Sequence, residues 1–577
     1  MLKSLFPILS WLPRYKADNL KADFPAGLTV GVMLIPQGMA YALIAGLPME
    51  YGLYASLVPQ IIYAITGTSR HLSVGPVAMD SLLVAAGLTA IAAAGSDNYI
   101  ALAIALALMM GMIQLLLGVL RAGFLVNFLS KPIISGFTSA AAIIIAANQI
   151  GNLSGIEILR STQIQHIGTA IANSKSSIHT PTILIGIATI ILLAIAYKFR
   201  SRLKLPTALI AVVSGILSVK FLDLQILGVD IVGNIPSGLP TFNAPHLTSG
   251  DFTQLLPIAF TLAFVAFMEA YSVAKTLEEK HEYKIDANQE LRALGLANIF
   301  GSFFQSYPTT GGFSRTAVNE QAGATTPMSS LIAAGLIGLT LLFLTPLFFH
   351  LPLSVLAAII IVAVAGLIDL KLPLHLWHTH KTEAVLLLAT FLVTLTVGMV
   401  QGISTGIALS IMLLVYKQMR PHFTELGELG EVEGVYRNVN RFPKAKTRDE
   451  VLIIRFDSAL HFANHRFLQK SITELLEKRN SKANTIILCA EAIGYIDASG
   501  ISALEILIDD LEKKNIDFRL AAATGPVRDA IESSKLIARI GKARCFTSIN
   551  SALKDLDNPG SLGESQIKIA TQSATRK

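Results

Sequence analysis

Long apolar stretches separated by short polar ones run from Phe24 to about Met419, and after Arg420 the chain becomes charged and mixed in pattern. Many of these stretches approach the roughly 20 residues that a helix needs to cross a bilayer. They predict fourteen membrane segments, near 25–47, 51–66, 75–94, 100–120, 124–150, 180–198, 204–222, 252–275, 288–304, 312–324, 328–349, 352–370, 382–400 and 403–419. Because seven segments followed by seven enter the membrane from opposite sides, we expect two inverted repeats, about 23–222 and 251–420.

Composition agrees with a membrane protein. Of the 577 residues, 52% are hydrophobic and only 15% are charged, and the mean hydropathy is +0.57. These values exclude an ordinary soluble protein. The first 20 residues lack a short apolar core followed by a cleavage site, so we expect no cleaved signal peptide. Both cysteines, Cys489 and Cys545, follow the last apolar segment, which argues against a disulfide framework and fits a reducing compartment.

The net charge of +7 reflects membrane topology rather than nucleic-acid binding. The cations cluster beside apolar segments, at Arg14, Lys16, Lys21, Arg70, Arg121, Lys198, Arg200, Arg202, Lys204, Lys275, Lys280, Lys284, Lys417 and Arg420. The intervening loops, 95–99, 151–179 and 222–251, carry few cations. Placing the clusters inside predicts a multi-pass protein of the cell's inner (plasma) membrane with both termini in the cytoplasm.

Two hydrophobic segments at corresponding positions of the repeats are interrupted by Gly and Pro. The third segment begins SVGPVAM at residues 73–79, and its counterpart begins YPTTGGFSR at residues 307–315. Such paired interruptions indicate a substrate site in transporters. Facing helix N-termini would offer free backbone N–H groups and positive dipole ends to an anion. The alternative is that Gly and Pro only kink ordinary spans, but the matched positions favour an anion site.

Two ionisable residues lie inside these apolar spans and are candidate site residues because burying a charge is costly. Glu269 lies well inside the eighth segment, and Arg315 lies in the first turn of the tenth. An arginine there would add charge and directed donors to the dipole site. The two residues could instead form a buried structural ion pair. Glu269 is the candidate coupling residue, while Asp80 ranks lower because it is expected to face an aqueous vestibule or a neighbouring helix.

The first segment contains Pro36, where we expect the helix to break and to place Gln37 and Tyr41 at mid-depth. Both side chains are candidates to line the substrate path, although Gln37 could equally satisfy the backbone groups that Pro36 frees. The cluster His375, His378 and His380 lies beside Trp377. It is predicted to be an amphipathic segment at the membrane interface rather than a metal site, and no cofactor is expected.

After the membrane segments, strands and helices alternate. Strands are predicted at Val451–Phe456, 485–490 and 518–523, and helices at 464–478, 499–514 and 526–533, which implies a small α/β domain. In the strand-to-helix turn, Asp497 or Ser499 can cap the helix. No nucleophile with a base and no phosphate-binding Gly loop with its Lys occurs, so we predict that this domain is not an enzyme.

The residues resemble the sulfate permease (SulP) family of anion transporters. The most specific stretch, 51–78, reads YGLYASLVPQIIYAITGTSRHLSVGPVA and is similar to the family signature after the first span. The C-terminal domain resembles the STAS domain (sulfate transporter and anti-sigma antagonist), and its turn DASG at 497–500 resembles the Asp-Ser-Ser-Gly turn of that domain. In anti-sigma antagonists the phosphorylated serine corresponds to Ser499, but Ala498 replaces its neighbour.

This resemblance implies an α-helical polytopic membrane protein with a seven-plus-seven inverted repeat and a C-terminal cytoplasmic α/β STAS domain. It further implies core and gate domains, elevator-type movement and a homodimer. The anion site would be lined by Gln37, Tyr41, Val77, Ala78, Phe313, Ser314 and Arg315. Glu269 occupies the family's coupling-acid position, where proton-coupled members carry Glu and a sodium-coupled bicarbonate branch carries Asp, so a proton is favoured over sodium.

The leading hypothesis is proton-coupled sulfate uptake, with the STAS turn at Asp497 and Ser499 as a regulatory site for a cytoplasmic protein or nucleotide partner. The expected domains are a cytoplasmic N-terminus at 1–22, a transport domain at 23–420, a linker at 421–440, the STAS domain at 441–557 and a flexible tail at 558–577. The alternatives are a transporter of bicarbonate or a C4-dicarboxylate, an uncoupled anion channel or voltage-responsive protein, and a partner-binding module on a membrane anchor. Dipoles and one Arg select charge rather than chemical identity.

Overall fold

The apolar segments fold into α-helices because a helix satisfies its own backbone hydrogen bonds where water is excluded. The computed structural model describes residues 5–124, 130–156, 158, 161, 163–173, 178–198, 207–245, 248–430, 434–479 and 482–559. The chain divides into two units, Met1–Ser410 and Ile411–Lys577. The first is built from helices with one two-stranded ladder, and the second contains a larger sheet flanked by helices.

The first unit begins with a short helix and a 3-10 turn, and longer helices follow them. Up to residue 221 its elements are α1 Ile8–Trp11, a 3-10 turn Leu12–Arg14, α2 Ala17–Ile44, α3 Met49–Tyr54, α4 Val58–Thr66, β1 Val74–Gly75, α5 Ala78–Leu88, α6 Asp97–Val119, α7 Lys131–Asn148, α8 Ile150–Ser154, α9 Ile164–Asn173, α10 Thr180–Lys198 and α11 Thr207–Phe221.

The remaining elements of the helical region follow from residue 249 to residue 419. They are α12 Ser249–His281, α13 Ala287–Ser302, β2 Thr310–Gly311, α14 Phe313–Gln321, α15 Met328–Leu339 with a π turn Thr340–Leu344 and a 3-10 turn Thr345–Phe348, α16 Leu353–Ala365, α17 Lys371–Thr379, α18 Lys381–Thr396 and α19 Met399–Met419. Helix α17 carries His375 and His378, both exposed. Helices α6 and α13, α2 and α15, and α7 and α18 form the most extensive pairings.

Each of the fourteen predicted segments overlaps at least one of these helices. Six helical stretches among the described residues are long and apolar enough to span a membrane one by one, namely Ala17–Ile44, Asp97–Val119, Lys131–Ser154, Ser249–Glu278, Met328–Phe348 and Met399–Met419. Four more apolar helices are shorter, at Ala78–Leu88, Thr180–Ala196, Ala208–Phe221 and Leu353–Ala365. The membrane-protein class is therefore confirmed, and the number of crossings stays a prediction.

The expected break at Pro36 does not occur. Helix α2 runs through both Pro25 and Pro36 for 28 residues. Proline removes one backbone donor, but a helix packed on its neighbours retains the other hydrogen bonds. Helix α2 is packed in this way, against α15 on one side and α3 on another, so tertiary packing outweighs the local effect of the proline.

The contact between α2 and α3 depends on two glycines. The backbone of Gly52 lies against the Gly38 carbonyl so closely that a Cβ atom on Gly52 would overlap it. The Ser56 hydroxyl donates to the Gly52 carbonyl at 2.6 Å, which fixes the end of this short helix. Small residues at helix crossings allow such close approach in membrane proteins.

Glu290, in the first turn of α13, is a fully buried carboxylate with a complete set of donors. Its Oε2 accepts from the Tyr63 hydroxyl at 2.6 Å. Its Oε1 accepts from the Thr68 backbone N–H at 2.7 Å, the Thr68 hydroxyl at 2.5 Å and the Ser69 N–H at 3.3 Å. Buried charges are retained when hydrogen bonds satisfy them. Glu290 thereby ties the end of α4 and the loop before β1 to α13.

The second unit is a mixed sheet with helices on both faces. Its strands are β3 Phe423–Leu429, β4 Tyr436–Asn438, β5 Ala445–Lys446, β6 Val451–Phe456, β7 Thr485–Cys489, β8 Asp517–Ala521 and β9 Cys545–Phe546. Their order is β4-β3-β6-β7-β8-β9, with β5 also paired to β3. Strands β6 to β9 are parallel, and β3 runs antiparallel to β6.

The helices cover the sheet according to the alternation of its side chains. They are α20 His465–Lys478, α21 Ala498–Lys513, α22 Gly525–Ser533, α23 Leu536–Ile540, a 3-10 turn Lys542–Arg544 and α24 Ile549–Asp557. Leu452 and Ile454 of β6 face α20 to α23, whereas Val451 and Ile453 face α24. Strands covered on both faces read as continuous apolar runs, which is the pattern at 451–454.

The predicted strands and helices from 451 onward coincide with these elements, but the sheet starts before the predicted boundary at 441. Residues 421–440 were expected to be a linker, yet they contain β3, which pairs with β6 from Phe423 to Glu425. The strand FTELGEL is polar and contains a glycine, so its sequence alone does not mark it as a strand. The expected flexible tail 558–577 lies outside the described residues apart from Asn558 and Pro559.

The turn into α21 is held by the side chain of Asp497. Its Oδ1 accepts from the Gly500 N–H at 2.7 Å, and its Oδ2 accepts from the Phe462 N–H at 2.9 Å. Asp497 is therefore the N-cap, while Ser499 lies within the first turn of the helix. Burial acts to raise the pKa of Asp497, but the N–H donors of Gly500 and Phe462 outweigh it and hold the pKa below its usual range.

The first prediction tests the glycine contact between α2 and α3. Gly52→Ala should destabilise the full-length protein by about 1–3 kcal/mol, because the added methyl group forces the two backbones apart. Thermal unfolding of the protein in detergent measures the change. The matched control is Gly168→Ala in α9, where a Cβ atom meets nothing within 4 Å. Equal unfolding temperatures for the two variants would contradict the contact.

The second prediction concerns acid stability of α21. Because the folded-state pKa of Asp497 is lowered, its stabilisation is complete above the ordinary aspartate pKa of about 3.9 and disappears as the pH falls through the folded-state pKa. Hydrogen exchange of the α21 amides should show this loss in the wild type and a flatter profile in Asp497→Asn, which keeps a capping oxygen. At neutral pH, Asp497→Ala should lower the opening free energy by about 1 kcal/mol. Identical pH profiles for wild type and Asp497→Asn would rule out this role.

Candidate functional site

A two-residue antiparallel ladder joins the two interrupted segments. Val74 of β1 lies opposite Gly311 of β2, and Gly75 lies opposite Thr310. Helix α5 starts three residues after β1, and α14 starts two residues after β2. Because the strands run in opposite directions, the two helices leave the ladder in opposite directions, with both N-termini beside it. The predicted juxtaposition of the two helix starts is present.

Neither helix start has a side-chain cap. Val77 precedes α5 and Gly312 precedes α14, both in extended conformation and without a capping hydrogen bond from their side chains. The first-turn N–H groups of a helix have no carbonyl partner within it. At both starts these groups, together with the dipole of each helix, are available to a negative charge.

Arg315 is buried at this junction and only partly paired. Its side chain is 2% exposed, and its Nη1 donates to the Pro76 carbonyl at 2.5 Å, bridging from α14 to the segment before α5. Its Nε and Nη2 are buried and have no hydrogen-bond partner. The guanidinium lies over Gly75 and Gly312, where a Cβ atom would come within 3.4 Å and 2.9 Å of it. A buried guanidinium with free donors is suited to a carboxylate or an oxyanion.

Glu269 lies near Arg315 without pairing with it. The residue is 8% exposed, and its Oε2 is buried and has no hydrogen-bond partner. It interacts electrostatically with Arg315 and with Asp80. No ion pair within 4.0 Å joins Glu269 and Arg315 in the described part of the chain. The alternative of a structural ion pair between these two residues is therefore not realised.

Asp80 belongs to the same cluster, which sequence reasoning did not foresee. It was expected to face an aqueous vestibule or a neighbouring helix. Its full burial excludes the vestibule and leaves the neighbouring helix, and neither of its carboxylate oxygens has a hydrogen-bond partner. The sequence did contain one indication of this position, because Asp80 lies in the first turn of a predicted half-helix. Tyr307 is a second such residue, fully buried, with its hydroxyl 3.1 Å from the Ser81 hydroxyl, and it interacts electrostatically with Arg315 and Asp80.

The first long helix contributes two further predicted residues. Tyr41 of α2 is 6% exposed and interacts electrostatically with Arg315 and Glu269. Gln37 lies one turn earlier on the same face, and its buried Oε1 has no hydrogen-bond partner.

The remaining predicted residues divide into a buried and an exposed pair. Val77 and Ala78, at the start of α5, are 8% and 3% exposed. Phe313 is 40% exposed, and Ser314 is also exposed at the start of α14. The site therefore has a buried charged side, formed by Arg315 and the carboxyls, and an accessible side at the first two residues of α14.

Hydrogen bonds from neighbouring helices hold the ladder in place. Asn298 of α13 accepts from the Thr309 N–H at 2.9 Å and donates to the Thr309 carbonyl at 3.0 Å. Thr310 donates to the Ala266 carbonyl of α12 at 2.6 Å. The Ser73 N–H donates to the Thr316 hydroxyl at 3.1 Å. These contacts replace the regular pairing that irregular backbone lacks inside a membrane protein.

The second unit has a concave site of its own next to the Asp497 turn. A cavity of about 370 Å³ is lined by His465, Gln469, Ala498, Ser499, Ser502, Ala503 and Ile506. Ser499 thus borders a cavity, whereas Asp497 acts in the cap. The cavity lies against the N-terminal parts of α20 and α21, and among these described residues no hydrogen bond joins His465 to Ser499 or Ser502.

Comparison with family models identifies both units. Residues 20–390 match the model of the sulfate permease family, and residues 442–552 match that of the STAS domain. The chain is 37% identical over 570 residues to a chloroplastic protein named sulfate transporter 4.1 of Arabidopsis thaliana, with 96% of this chain and 82% of the relative covered. It is 32% identical over 540 residues to a probable sulfate transporter of Mycobacterium tuberculosis, with 94% and 96% covered.

Solved structures agree with this assignment. The chain matches SLC26A9 with a TM-score of 0.88 at 26% identity, covering 96% of this chain and 93% of the other. It also matches the transmembrane domain of a cyanobacterial bicarbonate transporter, BicA, with a TM-score of 0.60 at 23% identity, covering 69% and 98%. The second likeness shows a shared fold. The chain belongs to the sulfate permease family, whose members are transporters rather than enzymes, and it ends in a STAS domain.

Proposed function

We propose that this protein is a secondary active transporter that takes up sulfate together with protons. The observation that supports this most directly is Arg315, buried between two uncapped helix starts with two of its guanidinium nitrogens unpaired. An oxyanion would supply the missing acceptors and the missing negative charge at once. The names of the plant and mycobacterial relatives favour sulfate among the oxyanions.

In this proposal the anion binds between the starts of α5 and α14. Its oxygens accept from first-turn N–H groups beside Val77 and Ala78 and beside Phe313 and Ser314, and Arg315 provides the full positive charge. Gln37 and Tyr41 of α2 border the same space. Because α14 exposes its first two residues, the anion enters from that side.

Glu269 is proposed to couple transport to protons. An ionised carboxylate beside the anion would repel it, whereas a protonated carboxyl removes that repulsion. Anion binding and protonation of Glu269 therefore favour each other by linkage. A proton suits this position better than sodium, which would need several oxygen ligands around it.

The transport cycle is proposed to follow the resemblance to the family. Elevator-type movement would carry the ladder and both helix starts across the membrane as one body, since hydrogen bonds from α12 and α13 hold the ladder. We further propose a homodimer with both termini in the cytoplasm. The STAS turn at Asp497 and Ser499, which borders a cavity, is proposed as a regulatory site for a cytoplasmic protein or nucleotide partner.

Two alternatives share the same site. A transporter of bicarbonate or a C4-dicarboxylate would use the same dipoles and the same Arg315, since these select charge rather than identity. Because the chain shares its fold with the transmembrane domain of a bicarbonate transporter, bicarbonate is one of the anions to test. An uncoupled anion channel would lack any proton dependence. The unpaired Oε2 of Glu269, buried near Arg315, favours coupling over a channel.

The third prediction tests Arg315 by binding. In detergent, Arg315→Ala should bind labelled sulfate about tenfold to hundredfold more weakly than wild type, because a charge-assisted contact worth about 1.5–3 kcal/mol is lost. Arg315→Lys should recover part of the affinity. The control is Arg14→Ala, an exposed arginine near the N-terminus. Unchanged affinity in a folded Arg315→Ala would place the anion elsewhere, and absent sulfate binding in wild type would move the assay to bicarbonate and fumarate.

The fourth prediction tests Glu269 by transport. In proteoliposomes, an inward proton gradient should drive labelled sulfate above equilibrium in wild type. Glu269→Gln should reduce that accumulation at least about tenfold at a gradient of one pH unit, since one coupled proton is lost. The control is Glu282→Gln, the exposed residue that ends the same helix. Sulfate currents that follow the anion gradient alone, in wild type, would indicate a channel instead.

A further inference from the structure

The proposed coupling involves Glu269, but a second buried carboxyl lies beside it with no assigned role. Asp80, in the first turn of α5, is 0% exposed, and its Oδ1 and Oδ2 are both buried and without a hydrogen-bond partner. Buried carboxylates elsewhere in this chain, such as Glu290, receive several donors. An ionised Asp80 would therefore be both unpaired and dehydrated, which is among the most costly arrangements in a protein.

The titratable groups near Asp80 come from several elements of the helical region. Helix α12 contributes Glu269, and the segment before β2 contributes Tyr307, both of which interact with Asp80 electrostatically. Arg315 and Tyr41 act on this cluster through Glu269. The neighbouring α6 and α7 add no charge to it, since their titratable residues are Asp97 and Lys131, both exposed, and Tyr99, whose hydroxyl donates to the Ala45 carbonyl.

The protonation of the two carboxyls determines the net charge that an anion meets beside Arg315. With both carboxyls ionised, the empty site carries two negative charges against the single positive charge of Arg315. A bound dianion in the same space would then meet a net repulsive site. With both carboxyls protonated, the dianion faces Arg315 and two helix starts with no opposing carboxylate. Loading the site with a dianion is therefore most favourable when two protons are bound.

We propose that Asp80 is a second proton-carrying residue, so that Asp80 and Glu269 together hold two protons whenever the anion is bound. This inference rests on the proposed proton-coupled function and extends it to a stoichiometry. One dianion and two protons enter the site from one side and leave it on the other, where both carboxyls release their protons to water. The empty carrier returns with both carboxyls ionised beside Arg315. The transported charge is zero, because the two protons offset the dianion.

The test measures how far a proton gradient can concentrate labelled sulfate in proteoliposomes containing the full-length chain. With the membrane potential clamped at zero, two coupled protons give about 100-fold accumulation per pH unit, and one gives about tenfold. We expect the first value for wild type and the second for Asp80→Asn. Asp80→Asn should also become sensitive to membrane potential, since each cycle then moves one net negative charge. The matched control Asp97→Asn, an exposed carboxylate on the next helix, should behave as wild type.

The outcomes separate this inference from the proposed function. If wild type and Asp80→Asn both give about tenfold accumulation per pH unit, proton coupling stands and the role of Asp80 is wrong. If wild type shows no dependence on the proton gradient, the proposed function fails, and the role of Asp80 fails with it. If Asp80→Asn does not fold, Glu269→Gln decides: residual proton-driven accumulation supports a second carrier, and its complete loss overturns it.

Discussion

Four residues, Val74 and Gly75 with Thr310 and Gly311, form a ladder by which two distant parts of the chain present helix starts to the same space. A helix interrupted inside a membrane protein exposes backbone groups that have no water to satisfy them. Pairing the two interruptions with each other satisfies part of this backbone, and the side chains of Asn298 and Thr316 satisfy the Thr309 and Ser73 N–H groups. The same arrangement leaves the first-turn N–H groups free. The backbone donors that we propose bind the anion are thus the ones that this pairing leaves free.

The electrostatics of the site follow from this backbone. Two helix dipoles and Arg315 create a strongly positive space, and the fold places Glu269 and Asp80 at its edge without pairing either of them to Arg315. Had Glu269 formed a direct ion pair with Arg315, an incoming anion would have to displace it. The observed separation leaves the guanidinium free to bind while the carboxyls adjust their protonation. In the proposed function, protonation of the two carboxyls then removes their repulsion of the anion.

Much of this organisation could be predicted from the sequence, and its failures have physical causes. The paired interruptions, Glu269 and Arg315 were predictable because Gly, Pro and charges are conspicuous within apolar segments. Asp80 was underestimated because its burial depends on where α12 lies, which local sequence does not encode. The helix through Pro36 was missed because packing outweighs a local rule. Strand β3 was missed because its sequence is polar and its pairing with β6 is a tertiary contact.

Glu290 offers a contrast that extends beyond the site. It is as deeply buried as Asp80, yet four donors converge on it from α4 and the loop that follows. A carboxylate with this many donors has a structural role, because removing its charge would leave all four buried donors without an acceptor. Within one membrane protein, the number of donors around each buried acid therefore separates a carboxylate that builds the scaffold from one, such as Asp80, that we propose exchanges its proton with the solution.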